Sequence, residues 1–186
     1  MNTIAILSAE HAAILQVLEQ LEQAAAASER GVPVPVDIFR DIQEFFTIFV
    51  DRCHHGKEEA EIFPRLQRDH AALVEHLEAE HVTGRRLALD FAQAVHTYAP
   101  GEAATGTALA VAARDYADFL RTHIDQETQE LFPVAERALE SDDQQLVAAF
   151  ERIEVERIGP GTHERLHRMI DGLAGRIAPF LAPRYL

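Results

Sequence analysis

The chain has 186 residues, enough for one domain with a substantial core and too few for two ordinary ones. Hydrophobic residues make up 47% and charged residues 26%, and 17 basic against 31 acidic side chains leave a net charge of −14 that opposes binding to nucleic acid or an anionic membrane. No stretch reads as a membrane span, the N-terminus lacks the pattern of a signal peptide, and the lone cysteine, Cys53, cannot form an internal disulfide, so a cytoplasmic setting is expected.

In chain order, apolar residues recur at helical spacing through Ile4, Leu7, Ile14, Leu18 and Leu21, and this first helix must end before Gly31, Pro33 and Pro35. Asp37 is the expected N-cap of a second helix with the stripe Phe39, Ile42, Phe46, Val50 and Ile62, whose last turn is disturbed by Pro64. A third helix is expected over roughly Ala71 to Tyr98, broken by Pro100-Gly101, and a fourth over about Glu102 to Leu139. Ser141 and Gln144 form a predicted capping box for a segment reaching about Ile158. Gly159-Pro160-Gly161 is a turn, and Thr162 is the expected N-cap of a last helix. No alternating strand pattern occurs. The prediction is all-α: an antiparallel up-down four-helix bundle over residues 1–140, with residues 141–186 as a helical appendage on the same domain.

The second and fourth helices carry one motif twice. HHGKEEAEIFP from His54 matches HIDQETQELFP from His123 at a constant offset of 69, so His54 falls on His123, Glu58 on Glu127, and Phe63-Pro64 on Phe132-Pro133. Ala9-Glu10-His11 of the first helix returns as Ala79-Glu80-His81 of the third at an offset of 70. The chain is thus two helical hairpins, each supplying a single His and then a His-x-x-x-Glu; one repetition does not imply a solenoid.

Residues four apart on a helix share a face, so His54 with Glu58, and His123 with Glu127, each project together. His54 shares its stripe with Val50 and Ile62, His123 with Phe119 and Leu131, His11 with Leu7, Ile14 and Leu18, and His81 with Leu77 and Ala88. All six polar groups therefore face the core, where they need partners. Imidazole suits borderline transition metals and carboxylates can bridge two of them, so four His and two Glu suit a dinuclear site. If both Glu bridge, a solvent-derived oxo or hydroxo bridge brings each ion to about five ligands and leaves roughly one position open for a small molecule. Two adjacent redox-active ions favour iron over zinc, with manganese as second choice. The ferritin-like pattern of Glu-x-x-His on two helices and lone Glu on the others does not fit this chain.

The ordered set His11, His54-x-x-x-Glu58, His81, His123-x-x-x-Glu127, with Ile62-Phe63-Pro64 and Leu131-Phe132-Pro133, resembles the hemerythrin-like, or HHE cation-binding, family over roughly residues 1 to 140. The resemblance implies that the four His are terminal iron ligands and that Glu58 and Glu127 bridge the irons. Oxygen-carrying hemerythrins have His-x-x-x-His on the third helix, whereas the positions four before and after His81 are Leu77 and Arg85. That departure argues against reversible oxygen carriage. Relatives of the four-His, two-Glu type are associated with peroxide or nitric oxide chemistry, with repair of iron centres, or with sensing. The expected ligand is peroxide or a diatomic molecule, the expected setting oxidative or nitrosative stress, and an electron donor or protein partner is left open.

Other groups carry weaker expectations. His55 with Glu59, and His76 with Glu80, are read as solvated or as outer support, because His55 points about 100° away from His54 on a regular helix. His163 and His167 are read as a polar helix face that could also supply an extra ligand. Tyr116 is read as a core tyrosine that could line a channel, Gly84 as room for a small ligand, and Cys53 as structural.

Overall fold

The computed structural model describes residues 2–181, and no strand occurs among the described residues. Helix α1 spans Thr3–Glu29; the Asn2 side chain caps it by accepting from the Ala5 N–H at 2.8 Å. It meets the length and hydropathy of a membrane span, which corrects the sequence reading, yet Leu7, Ile14, Val17, Leu18 and Leu21 are fully buried within this bundle. Helix α2 spans Val36–Phe45, with Pro35 rather than Asp37 at the cap and Asp37 placed in the first turn.

The second helix does not stop at Phe45. It widens into π-helical turns over Phe46–His55 and Glu58–Ile62, then continues as α3, Phe63–Thr97. Pro64 has no N–H to donate and its ring excludes the carbonyl one turn back, so the wide turn before it absorbs the conflict without ending the helix. The true break is at His70, whose φ of −136° and ψ of 36° kink α3 and separate the second bundle helix from the third. Helix α4, Ala103–Gln126, repeats the device: π-helical Glu127–Leu131 precedes Pro133 in α5, Phe132–Ala138.

The appendage begins with a 3₁₀ turn over Glu140–Asp142, followed by α6, Asp143–Ile153, a wide turn over Glu154–Ile158, and α7, Thr162–Leu181. The Ser141 capping box does not form. Ser141 bonds to Asp142, and Asp143 accepts instead from the Thr3 N–H at 2.8 Å, tying α6 to the start of α1. Thr162 is the first helical residue rather than the cap.

Helix α1 packs along α4 and α7, and α3 packs along α4. Two apolar clusters result. The larger holds Leu18, Phe39, Phe45, Phe91, Leu109 and Leu120, with Leu166, Ile170 and Leu173 of α7. The smaller holds Leu7, Ile62, Phe63, Leu77, Leu131 and Phe132, with Leu146 and Phe150 of α6. The His and Glu positions of the repeat lie near the boundary between these clusters along the helices that carry them, so a polar layer interrupts the core.

Candidate metal centre

The structure brings all six repeated residues into that layer. His11 comes from α1, His54 and Glu58 from the two wide turns after α2, His81 from α3, His123 from α4, and Glu127 from the wide turn after it. None is more than 4% exposed. Glu58 turns one oxygen to His54 Nε2 at 3.6 Å and the other to His81 Nε2 at 3.5 Å. Glu127 turns one oxygen to His11 Nε2 at 3.1 Å and the other to His123 Nε2 at 3.2 Å. Each carboxylate therefore faces one imidazole from each hairpin's pair, which is the geometry of a bridge between a His11/His54 position and a His81/His123 position.

The outer nitrogens are all engaged. Glu10 lies 2.8 Å from His54 Nδ1 and Glu80 lies 2.8 Å from His123 Nδ1, while Glu59 lies 2.8 Å from His81 Nδ1 and Thr128 Oγ1 lies 3.4 Å from His11 Nδ1. These supports obey the same repeat, Glu10 matching Glu80 and Glu59 matching Thr128. A carboxylate on Nδ1 fixes the tautomer in which Nδ1 carries the proton, which leaves Nε2 as a lone pair aimed inward and makes it more basic. Phe132 stacks on the His11 ring at 4.8 Å, and its repeat mate Phe63 lies 5.4 Å from the His81 ring.

The inner atoms lack partners. Among the described residues, both oxygens of Glu58, one of Glu127, and Nε2 of His81 and His123 are buried without a hydrogen bond. His11 Nε2 and His54 Nε2 face each other at 3.0 Å, close for two lone pairs unless a cation or proton sits between them. A buried polar group left unpaired costs on the order of 1–3 kcal/mol, so such a cluster demands compensation.

Protons supply it in the metal-free chain. Burial alone would lower the His81 pKa, but the carboxylates of Glu127, Glu58 and Glu59 raise it to about 11. Burial likewise opposes His54 and His123, and the charges of Glu58 and Glu127 respectively push both upward. Burial would raise the Glu127 carboxyl, yet the imidazoles of His123, His11 and His81 hold it well below the usual range. The layer is built to hold positive charge against two carboxylates.

Of the two expectations for His55, solvation is overturned and a supporting place beside the layer is what the structure shows. His55 is 4% exposed, stacked on His81 with ring centroids 3.9 Å apart, and 5.6 Å from His123. The wide turn Phe46–His55 supplies the distortion that a regular helix would have denied it. The repeat held the missing signal, because His55 falls on Ile124, a core position. Burial, followed by the neighbouring His81, drives its pKa well below the ordinary value, so the ring is neutral.

The remaining groups sort by contact. His163 stacks on Phe49 and reaches Glu10 at 3.8 Å, and His167 meets Phe49 edge-on; in the structure His163 sits against Glu10, outside the cluster formed by the six residues. Glu10 also pairs with the fully buried Lys57, which bonds Glu154 at 2.6 Å. His76 is an exposed partner of Glu80. Burial pushes the Cys53 thiol up to about 12, so it is an inert packing group. Tyr116, Gly84 and His55 all line one cleft.

An all-helical bundle with a buried layer of four imidazoles and two carboxylates is the class that fold and site define. The family model for the hemerythrin HHE cation-binding domain matches residues 2–135, and the chain belongs to that family. Comparison with curated proteins and with solved structures returned no match. The chain is therefore a cation-binding helical domain of the hemerythrin type.

Proposed function

We propose that His11, His54, His81, His123, Glu58 and Glu127 hold two metal ions, iron first and manganese second, and that the centre binds and converts a small oxidant, peroxide or nitric oxide. The observation that carries this reading is the division of each carboxylate between two imidazole pairs, with its unpartnered inner atoms. The donor set fits: neutral Nε2 atoms and carboxylate oxygens suit borderline divalent and trivalent ions. Bound there, two iron ions would supply the electrons that reduce peroxide or nitric oxide.

The chain's own residues set the conditions. Glu10, Glu80 and Glu59 orient three rings and hold their protons at Nδ1. Phe63, Phe132 and the flanking apolar clusters exclude bulk water, which strengthens every electrostatic contact inside. Turnover tests the reading: iron-loaded protein should disproportionate peroxide or consume nitric oxide, and the six ligand substitutions should abolish it. An iron-loaded protein inert to both refutes conversion.

A second reading, a sensor of iron or of oxidant, draws on a different observation. Glu154 and His163 of residues 141–186 reach the Glu10 carboxylate that orients His54, directly or through Lys57. Metal occupancy at His54 would then alter packing of the appendage and a protein partner's surface. Hydrogen exchange in α6 and α7 that changes on iron loading, without turnover, favours this reading.

A further inference from the structure

The repeat makes the two sides of the polar layer comparable residue by residue, and one difference between them lies around a cleft. On the first hairpin's side of the site, Ile14 and Leu18 of α1 are fully buried; their repeat mates on α3 are Gly84 and Ala88. His55 occupies the position that Ile124 fills in the fourth helix. Leu18 is thus matched by Ala88 and Ile124 by His55 around one cleft of about 450 Å³, while the place a Cβ would take at Gly84 lies 3.2 Å from the Phe119 ring. Thr47 and Leu89 lie exposed at its mouth, and His55, Gly84 and Tyr116 are buried in its floor.

His55 ends this cleft beside the layer. One of its ring nitrogens lies within 4.8 Å of a ring nitrogen of His81 and of His123. Neither nitrogen has a hydrogen-bond partner among the described residues; the nearest carboxylate oxygen, on Asp51, is 3.9 Å from Nδ1. It is not placed as a ligand. Its plane is tilted only 20° from that of His81, at 3.9 Å. Rings stacked in this way point their in-plane lone pairs past one another, so His55 and His81 would not both offer a nitrogen lone pair to one position.

We propose that this cleft is the route by which a ligand of a few atoms, such as peroxide, reaches the ion held by His81 and His123, and that His55 hydrogen-bonds that ligand at the inner end. This rests on the dinuclear reading above. An imidazole always carries at least one N–H, and an unpartnered one facing a cleft is satisfied when an acceptor atom arrives. The charged lining, Asp51 and Arg85, is paired at 2.6 Å, so the passage carries little net charge to repel or trap a small ligand.

The test is azide binding to the iron-loaded full chain, followed by absorption in titrations and by stopped flow. His55→Phe keeps the stacked ring and its volume but no nitrogen; it should retain the wild-type iron content and bind azide about 10-fold or more weakly, while His55→Gln retains most of the affinity. Ala88→Phe narrows the cleft and should slow azide association about 10-fold with little change in affinity. Iron lost in His55→Phe would make His55 a ligand and overturn the proposal. So would azide affinity and association rates unchanged in both variants, and the dinuclear reading would then stand. A wild-type chain that retains no iron overturns that reading and takes this one with it.

Discussion

The two hairpins of this bundle carry the same skeleton and different linings. Their inner residues match one for one: His11 with His81, His54 with His123, Glu58 with Glu127, and even the orienting Glu10 with Glu80. One step outward the match fails. Glu59 supports His81 where exposed Thr128 supports His11, buried Lys57 stands opposite half-exposed Gln126, and a cleft lies beside Gly84 and Ala88. Symmetry is kept among the six residues proposed as ligands. It is lost where the chain must tell the two positions apart, so the surroundings carry the difference between them.

The largest expected effect treats the halves alike. On the dinuclear proposal, Glu58→Ala and Glu127→Ala each remove one proposed bridge, and each should cut retained iron from about two ions per chain to about one or fewer, measured by metal analysis after desalting. Unequal losses would mean that one carboxylate does not bridge. Next comes a comparison that should break the symmetry. Lys57→Met removes the buried Lys57–Glu10 ion pair and leaves Glu10 with His54, and should cost about 3 kcal/mol in denaturant unfolding, whereas Gln126→Met, at the matching position, should stay within about 0.5 kcal/mol. Smaller again is the effect on the orienting pair. Glu59→Gln should weaken iron binding about 10–100-fold, and Thr128→Val, whose contact is long and exposed, by less than about 3-fold in the same competition titration.

The pH dependence of the chelator-treated protein sharpens the electrostatic side. His81 has a raised pKa, so its contribution to stability is full below the ordinary value of 6.5 and is lost as pH rises toward about 11. Glu59 and Asp51 are depressed to about 2 despite burial, Glu59 by hydrogen bonds to His81 and Arg85, and Asp51 by the nearby His55 ring and a hydrogen bond from Arg85. Their contributions are present above the ordinary carboxylate values and are lost as pH falls to about 2. The thermal midpoint should therefore decline at both ends. Iron loading should remove the alkaline decline, because the ion replaces the proton on His81, and should release protons as it binds.

Much of this was legible in the sequence, and the reasons divide by residue. Helical periodicity gave the bundle and its turns, since an apolar stripe has few places to go other than a core. The repeat assembled His11, His54, Glu58, His81, His123 and Glu127 because identical spacing on matched helices fixes a common face. The break at His70 agrees with a third helix from about Ala71, but the wide turns that carry the second helix through Pro64 have no local signal. His55 reads as turned away on a regular helix, and those same turns carried it inward. The Ser141 capping box was outcompeted by a tertiary partner, with Asp143 spent on the Thr3 N–H, and no local pattern announces a contact 140 residues away.

The most direct measurement is the metal content of the full chain after anaerobic iron loading and removal of unbound metal, with wild type beside the six single ligand variants. Two imidazole pairs sharing two divided carboxylates predict about two iron ions per wild-type chain and a loss in every one of the six. A single ion per chain, or zinc retained in place of iron, or full loading after loss of His11 or His81, would contradict the dinuclear centre.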